Sequence, residues 1–331
     1  MSYNQDCGGE KSLKMRNERI DSVKYWLIIL VITGHVFEEF KAVPECKFVW
    51  DWIYIFHMPL FIFISGYFSE KKDSVKFKQS IWKLLEPLLF YQILVQIPWI
   101  YFKGCDNYLI ALFSPWWVLW YLLSLISWRL MLQVIPNNFL RKRYIMLFIT
   151  ICISISAGFF PFNYFLSIQR TLAFMPFFFG GYYAKGKNLF LPERYRPFCV
   201  IFLMLTFVVP LFFSHFLGSL THYKPYDDVY DAIKRIAVFC LSVPMSLAFV
   251  NICTNTSWIA RQGRMTMQYY IYHALAITPL MAFANKLGIP SSFFTATFFT
   301  IALIIGIGIA SRLPYFEKFT NPSLFFKNKP I

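Results

Sequence analysis

Ten apolar stretches alternate with short polar breaks along the chain, at 23–40, 50–69, 84–102, 115–135, 144–160, 165–184, 197–217, 230–252, 266–285 and 293–312. A run of about 20 apolar residues crosses the hydrocarbon core of a bilayer as a helix, because the helix satisfies its own backbone hydrogen bonds. The pattern predicts an all-α, polytopic integral membrane protein with about ten transmembrane helices. An even number of crossings leaves both termini on one side. No internal repeat and no low-complexity linker breaks the pattern. One transmembrane domain over 1–331 is therefore expected, with 1–22 as an N-terminal segment and 313–331 as a tail.

Composition strengthens the membrane reading. Of 331 residues, 57% are hydrophobic, 21% aromatic and 15% charged, where a soluble domain carries about 25% charged. The formal net charge of +15 raises the question of nucleic acid. Its placement answers it. With the N-terminus cytoplasmic, 23 of the 32 Lys and Arg fall in stretches on that side and five in the opposite loops, which is the positive-inside bias. The expected partner is the lipid bilayer and not nucleic acid. The expected location is the inner (plasma) membrane, multi-pass, with both termini cytoplasmic. Charged residues from Asp6 to Arg19 precede the first apolar run with no cleavage pattern behind them, so the first span is expected to be retained. The seven cysteines show neither a CxxC pair nor metal-ligand spacing, and no metal is expected. Cys46 and Cys105 both fall in predicted outer loops, where a disulfide between them stays open.

Ionisable groups inside spans cost about 2.5–3.5 kcal/mol on insertion scales and usually face a cavity, a partner or a pathway. His35 lies eleven residues beyond Lys24 in the first span, roughly 16 Å deeper at the helical rise of 1.5 Å per residue. The second span runs the other way, and its His57 falls in the same outer half. Arg170 in the sixth span, and Lys234 and Arg235 in the eighth, come to comparable depth. Trp116, Trp117, Trp120 and Tyr121 join them from the fourth. These residues predict an outward-leaning polar cavity walled by aromatics, although an interfacial aromatic belt also accounts for the tryptophans. Toward the cytoplasmic side lie Asp21, Lys24, Glu86, Arg264 and His273. Asp21 and Lys24, three apart, can pair with each other, and His273 can be a buried structural histidine.

The order of the motifs is more specific. "RIDSVKYWLIILVITGH" resembles the opening helix of membrane acyltransferase family 3, a basic residue followed after ten residues by a histidine, here Lys24 and His35. "FHMPLFIFISGYF" resembles the second-helix motif of its sugar O-acetyltransferase, fucose 4-O-acetylase-like branch. "PWWVLWYLLSL", "QRTLAFMPFFFGGYYAK" and "GRMTMQYYIYHALAI" resemble its tryptophan-rich, arginine-led and Tyr-x-x-His helices. Lys24 departs from the arginine that many relatives carry, and lysine lacks the planar fork that grips a phosphate bidentately.

The resemblance implies transfer of an acetyl group from acetyl-CoA, as cosubstrate, to a hydroxyl of a cell-surface or lipid-linked sugar. An imidazole can act there as base or as nucleophile. His35 is the first candidate, with His57 and Arg170 beside it, Arg170 either stabilising an oxyanion or binding an acidic acceptor. Lys24, Asp21 and Arg264 are the candidates for holding CoA. Trp117, Trp120, Arg235 and His273 are those for the acceptor. Two rivals stay open at this point: a glycan transporter or flippase without acyl transfer, and a membrane acyltransferase acting on proteins or lipids.

Overall fold

The computed structural model describes residues 18–103, 108–214, 221–222 and 224–321. The N-terminal segment before residue 18, the tail beyond 321 and Cys105 lie outside them. The described residues form helices and connecting loops with no strand. Each of the ten apolar stretches overlaps helix: α1 Glu18–Glu39, α2 Pro44–Tyr67, α3 Ser74–Tyr91, α4 Trp120–Val134, α5 Arg143–Ser156, α6 Ile168–Ala184, α7 Arg196–Leu205, α8 Tyr230–Ile252, α10 Thr266–Lys286 and α11 Phe293–Ala310, with a short α9, Ser257–Gly263, in the polar break before α10.

Among the described residues, seven helical segments are both long and apolar enough to cross a membrane: Glu18–Glu39, Pro44–Tyr67, Ser74–Tyr101, Trp117–Val134, Glu193–Phe213, Tyr230–Ile252 and Phe293–Ala310. The protein is thus a multi-pass membrane protein. Arg143–Phe159 is apolar but shorter, and α6 has 17 residues. The α10 helix reaches 21 residues but carries Gln268, His273, Asn285 and Lys286.

Local chemistry sets the helix starts. Pro44 occupies the first turn of α2, where its missing N–H is no loss. Asp73 caps α3 by accepting from the Lys76 backbone N–H at 2.9 Å; that bond holds its carboxyl below the usual carboxylate range. Ser292 caps α11 through the Thr295 N–H at 3.1 Å. The α3 helix begins ten residues before the apolar stretch at 84, because Ser74–Lys83 makes a charged, exposed extension of the same helix.

The α1 helix is the central post. It packs on α2, α9, α10 and α11 and buries Leu27, Ile28, Ile32 and Val36 completely. Among the described residues the most extensive helix contact is between α2 and α6, and glycine permits it. A Cβ on Gly66 would sit 1.9 Å from the Phe178 carbonyl oxygen, and one on Gly181 would sit 1.9 Å from that of Phe63. Lipid supplies no hydrophobic drive for helix pairing, so small residues that let backbones touch supply van der Waals contact instead.

Candidate active site

His35 and Glu38 are three residues apart on α1 and therefore share a face. His35 Nδ1 lies 3.4 Å from Glu38 Oε2. The neighbour that completes the pair comes from α2. Gly34 has no Cβ, and one placed there would stand 2.9 Å from the Tyr54 ring, so the glycine lets that ring lie against α1. Tyr54 then donates its hydroxyl to Glu38 Oε2 at 3.0 Å and sits 3.3 Å from His35 Nδ1. Lys41 donates to the other carboxylate oxygen at 3.1 Å and lies 3.4 Å over the Trp50 ring. With Glu38 ionised, Nδ1 is the protonated nitrogen of His35, and Nε2 is left with a lone pair.

Two rings clamp the His35 imidazole. Trp117 meets it edge-on at a centroid distance of 4.8 Å, and His273 stacks on it at 5.4 Å and 24°. Trp117 holds a backbone φ of 30°, a left-handed conformation costing about 1–3 kcal/mol that persists where surrounding structure enforces it. His273 is fully buried; its Nδ1–H donates to the Tyr269 carbonyl at 2.8 Å. His57 is built the same way, with Nδ1–H donating to the Ile53 carbonyl at 2.8 Å.

Three voids succeed one another along the bundle. The first, about 180 Å³, is lined by His35, Glu38, Tyr54, His57, Trp117 and Arg170, with Trp120 beside them. Arg170 lies 4.9 Å over the Trp120 ring and donates Nε–H to the Thr221 carbonyl at 3.1 Å. The second is an apolar chamber of about 20 Å³ on the other side of His35, bounded by Ile28, Val31, Phe61, Tyr121 and Tyr270. Its tyrosines are tied down: Tyr121 Oη is 2.6 Å from Ser65 Oγ, and Tyr270 donates to the Val118 carbonyl. The third, about 950 Å³, lies at the Lys- and Arg-rich end and is lined by Lys72, Lys76, Lys83, Arg129, Arg264 and Arg312, with Glu70 and Glu317.

The structure therefore gathers His35, His57, Arg170, Trp117 and Trp120 around one void, and His273 against the His35 ring. Arg235 is not among the residues lining it. It is buried, donates to the Ser154 carbonyl at 2.9 Å and stacks over Tyr226. Asp21 is buried and holds Lys24 Nζ at 2.7 Å, with Lys24 also 4.9 Å over the Phe68 ring. Arg264 lines the large cavity and pairs with Glu18 at 3.4 Å. Glu38 and Tyr54 are residues the sequence reading passed over. The His-x-x-Glu spacing on α1 was the available signal for the first; nothing local marked the second.

A part-buried imidazole backed by a carboxylate thus lies between two voids of a multi-pass helical bundle, placed to accept and return a proton. The family model described as "Acyltransferase domain" matches residues 17–312, nearly the whole chain. The chain belongs to that family, membrane acyltransferase family 3, and is an acyltransferase. No curated protein and no solved structure matches it.

Proposed function

We propose that the protein transfers acetyl from acetyl-CoA to a hydroxyl of a cell-surface or lipid-linked sugar, within the fucose 4-O-acetylase-like branch of the family. The observation that carries this reading is the position of His35, which borders both the aromatic-walled void and the apolar chamber. An acceptor suits the first; the second has room for about one water and widens if the thioester end of a donor is to enter it. The donor's phosphates and nucleotide suit the cavity with six cationic side chains, since phosphate oxygens form charge-assisted hydrogen bonds with Lys and Arg. Arg264 belongs to that set, and the buried Asp21 fixes Lys24 nearby on α1.

In the reaction, His35 Nε2 takes the proton of the attacking hydroxyl while the new O–C bond forms at the thioester carbonyl. Glu38 stabilises the imidazolium. Collapse of the tetrahedral intermediate breaks the C–S bond, and His35 returns its proton to the departing thiolate. Arg170, in the same void, is suited to the developing oxyanion. The topology that goes with this chemistry is a single domain of ten crossings in the inner membrane, with both termini and the cationic cavity cytoplasmic. Nothing supports the transporter reading.

Sealed right-side-out and inverted vesicles supplied with labelled acetyl-CoA test the proposal, together with mass spectrometry of the surface glycan from cells with and without the gene. A glycan lighter by one acetyl group on deletion, restored by the wild-type chain and not by His35→Ala, is the expected result. Unchanged glycan acetylation would overturn the acceptor assignment.

A further inference from the structure

We infer that the two cavity histidines divide the work: His35 moves the proton, and His57 holds a second O–H or N–H of the acceptor, next to the hydroxyl that is acylated. The inference rests on the acyl-transfer reading above and deepens it by naming the acceptor's class.

The His57 tautomer is set by its own helix. A carbonyl oxygen only accepts hydrogen bonds, so the Nδ1 that lies 2.8 Å from the Ile53 oxygen carries the proton. In the neutral ring Nε2 is then a bare acceptor. His57 is 2% exposed and lines the 180 Å³ void, so Nε2 is the polar atom it offers there. An acceptor-only nitrogen pairs with a hydroxyl or an amide N–H. A methylene or an ether oxygen in that place leaves it buried and unpaired.

The carboxylate next door serves His35, not His57. Glu38 is the one carboxylate lining the void among the described residues. Its Oε2 meets Tyr54 Oη at 3.0 Å and His35 Nδ1 at 3.4 Å, and its Oε1 takes Lys41. An imidazolium formed at His35 is backed through Nδ1 by an anion on the same face of α1; one formed at His57 is backed through Nδ1 by a neutral carbonyl of its own helix. The Tyr54 ring touches both imidazoles, at centroid distances of 6.3 Å to His35 and 4.6 Å to His57. Both imidazoles line the same void of about 180 Å³ next to that ring, where neighbouring substituents of one sugar-sized acceptor meet both. The acceptor class is a polyol whose reacting hydroxyl is flanked by a free hydroxyl, or by the N–H of an acylated amine. During transfer the proton passes from hydroxyl to His35 to thiolate, and His57 exchanges none.

The test uses right-side-out vesicles loaded with labelled acetyl-CoA, with label counted in their own surface glycan as external pH is varied. Gln is the conservative variant at position 57, because its amide oxygen reaches the region of Nε2. His57→Gln is expected to keep incorporation within about tenfold of wild type, with the wild-type pH profile, while His57→Phe falls about 100-fold. His35→Gln is expected to fall as far as His35→Ala. Monodispersity of each purified variant separates misfolding from lost contact, and His57→Gln serves where His57→Phe fails to fold. A His57→Gln variant as inactive as His35→Gln, or with a displaced pH profile, overturns the proposal; so does wild-type incorporation by His57→Phe. NMR of the acetylated glycan is an independent arm: an ester whose neighbouring carbons bear no free O–H or N–H also overturns it. Wild-type vesicles that incorporate no label refute the proposed transfer of acetyl to glycan, a result distinct from any of these.

Discussion

Replacing Glu38 by Gln removes the charge behind His35 while keeping the side chain's size and its capacity to accept from Tyr54. Hydrogen bonds to charged groups contribute about 1.5–3 kcal/mol. The His35–Glu38 separation of 3.4 Å is long for an N–H···O bond, so the lower half of that range applies. At 1.36 kcal/mol per decade, about 1.5–2 kcal/mol lowers kcat/KM by roughly 10- to 30-fold. The loss belongs mainly to kcat, since the imidazolium exists only once the hydroxyl has begun to give up its proton. Lys41, left without its carboxylate, keeps the Trp50 ring 3.4 Å beneath it, so misfolding is not the expected outcome. Initial rates in vesicles with labelled acetyl-CoA, normalised to the amount of folded protein, measure the effect. A Glu38→Gln variant with wild-type kcat/KM would refute the reasoning that the carboxylate supports His35.

Tyr54→Phe deletes the hydroxyl that shares Glu38 with His35 and is expected to slow transfer about fivefold, a loss near 1 kcal/mol, measured in the same assay. Arg129→Gln removes a cation from the large cavity and is expected to raise KM for acetyl-CoA about tenfold with little change in kcat; titration of donor concentration in inverted vesicles reads it. Gly181→Ala places a methyl against the Phe63 carbonyl, where 1.9 Å is available, and forces α2 from α6. About 1–3 kcal/mol of destabilisation is expected as a lowered Tm in detergent.

The helices were legible because a bilayer imposes one rule on every span: about 20 apolar residues with internally satisfied backbone. The start of α3 was harder to read. Ser74–Lys83 is a charged helix that hydropathy cannot distinguish from loop, whereas the limits of α10 came within a residue of 266–285. In the site, depth reasoning from a fixed rise per residue brought His35, His57 and Arg170 to one level, and all three line one void. It failed to separate Arg235 from them, because depth says nothing about the direction a helix face points. Glu38 lay in the open as His-x-x-Glu, but at the end of the span it read as a boundary charge. Tyr54 needed the α1–α2 contact at Gly34, a relation between two helices that neither stretch expresses alone.

The backbone contact of α2 and α6 has a mechanical consequence. Gly66 and Gly181 press each helix against the other's carbonyls, with no side chain between them to slide or compress. His57 rides on α2 and Arg170 on α6, so these two walls of the void move as one stiff plate. The opposite wall is held differently. Side chains pin α4 to that plate: Tyr121 meets Ser65 on α2 at 2.6 Å, Ser124 meets Thr171 on α6 at 2.7 Å, and Trp128 donates its ring N–H to the Thr171 carbonyl at 2.9 Å. The α2–α6 plate, with α4 pinned to it, therefore forms a fixed frame for the void beside His35.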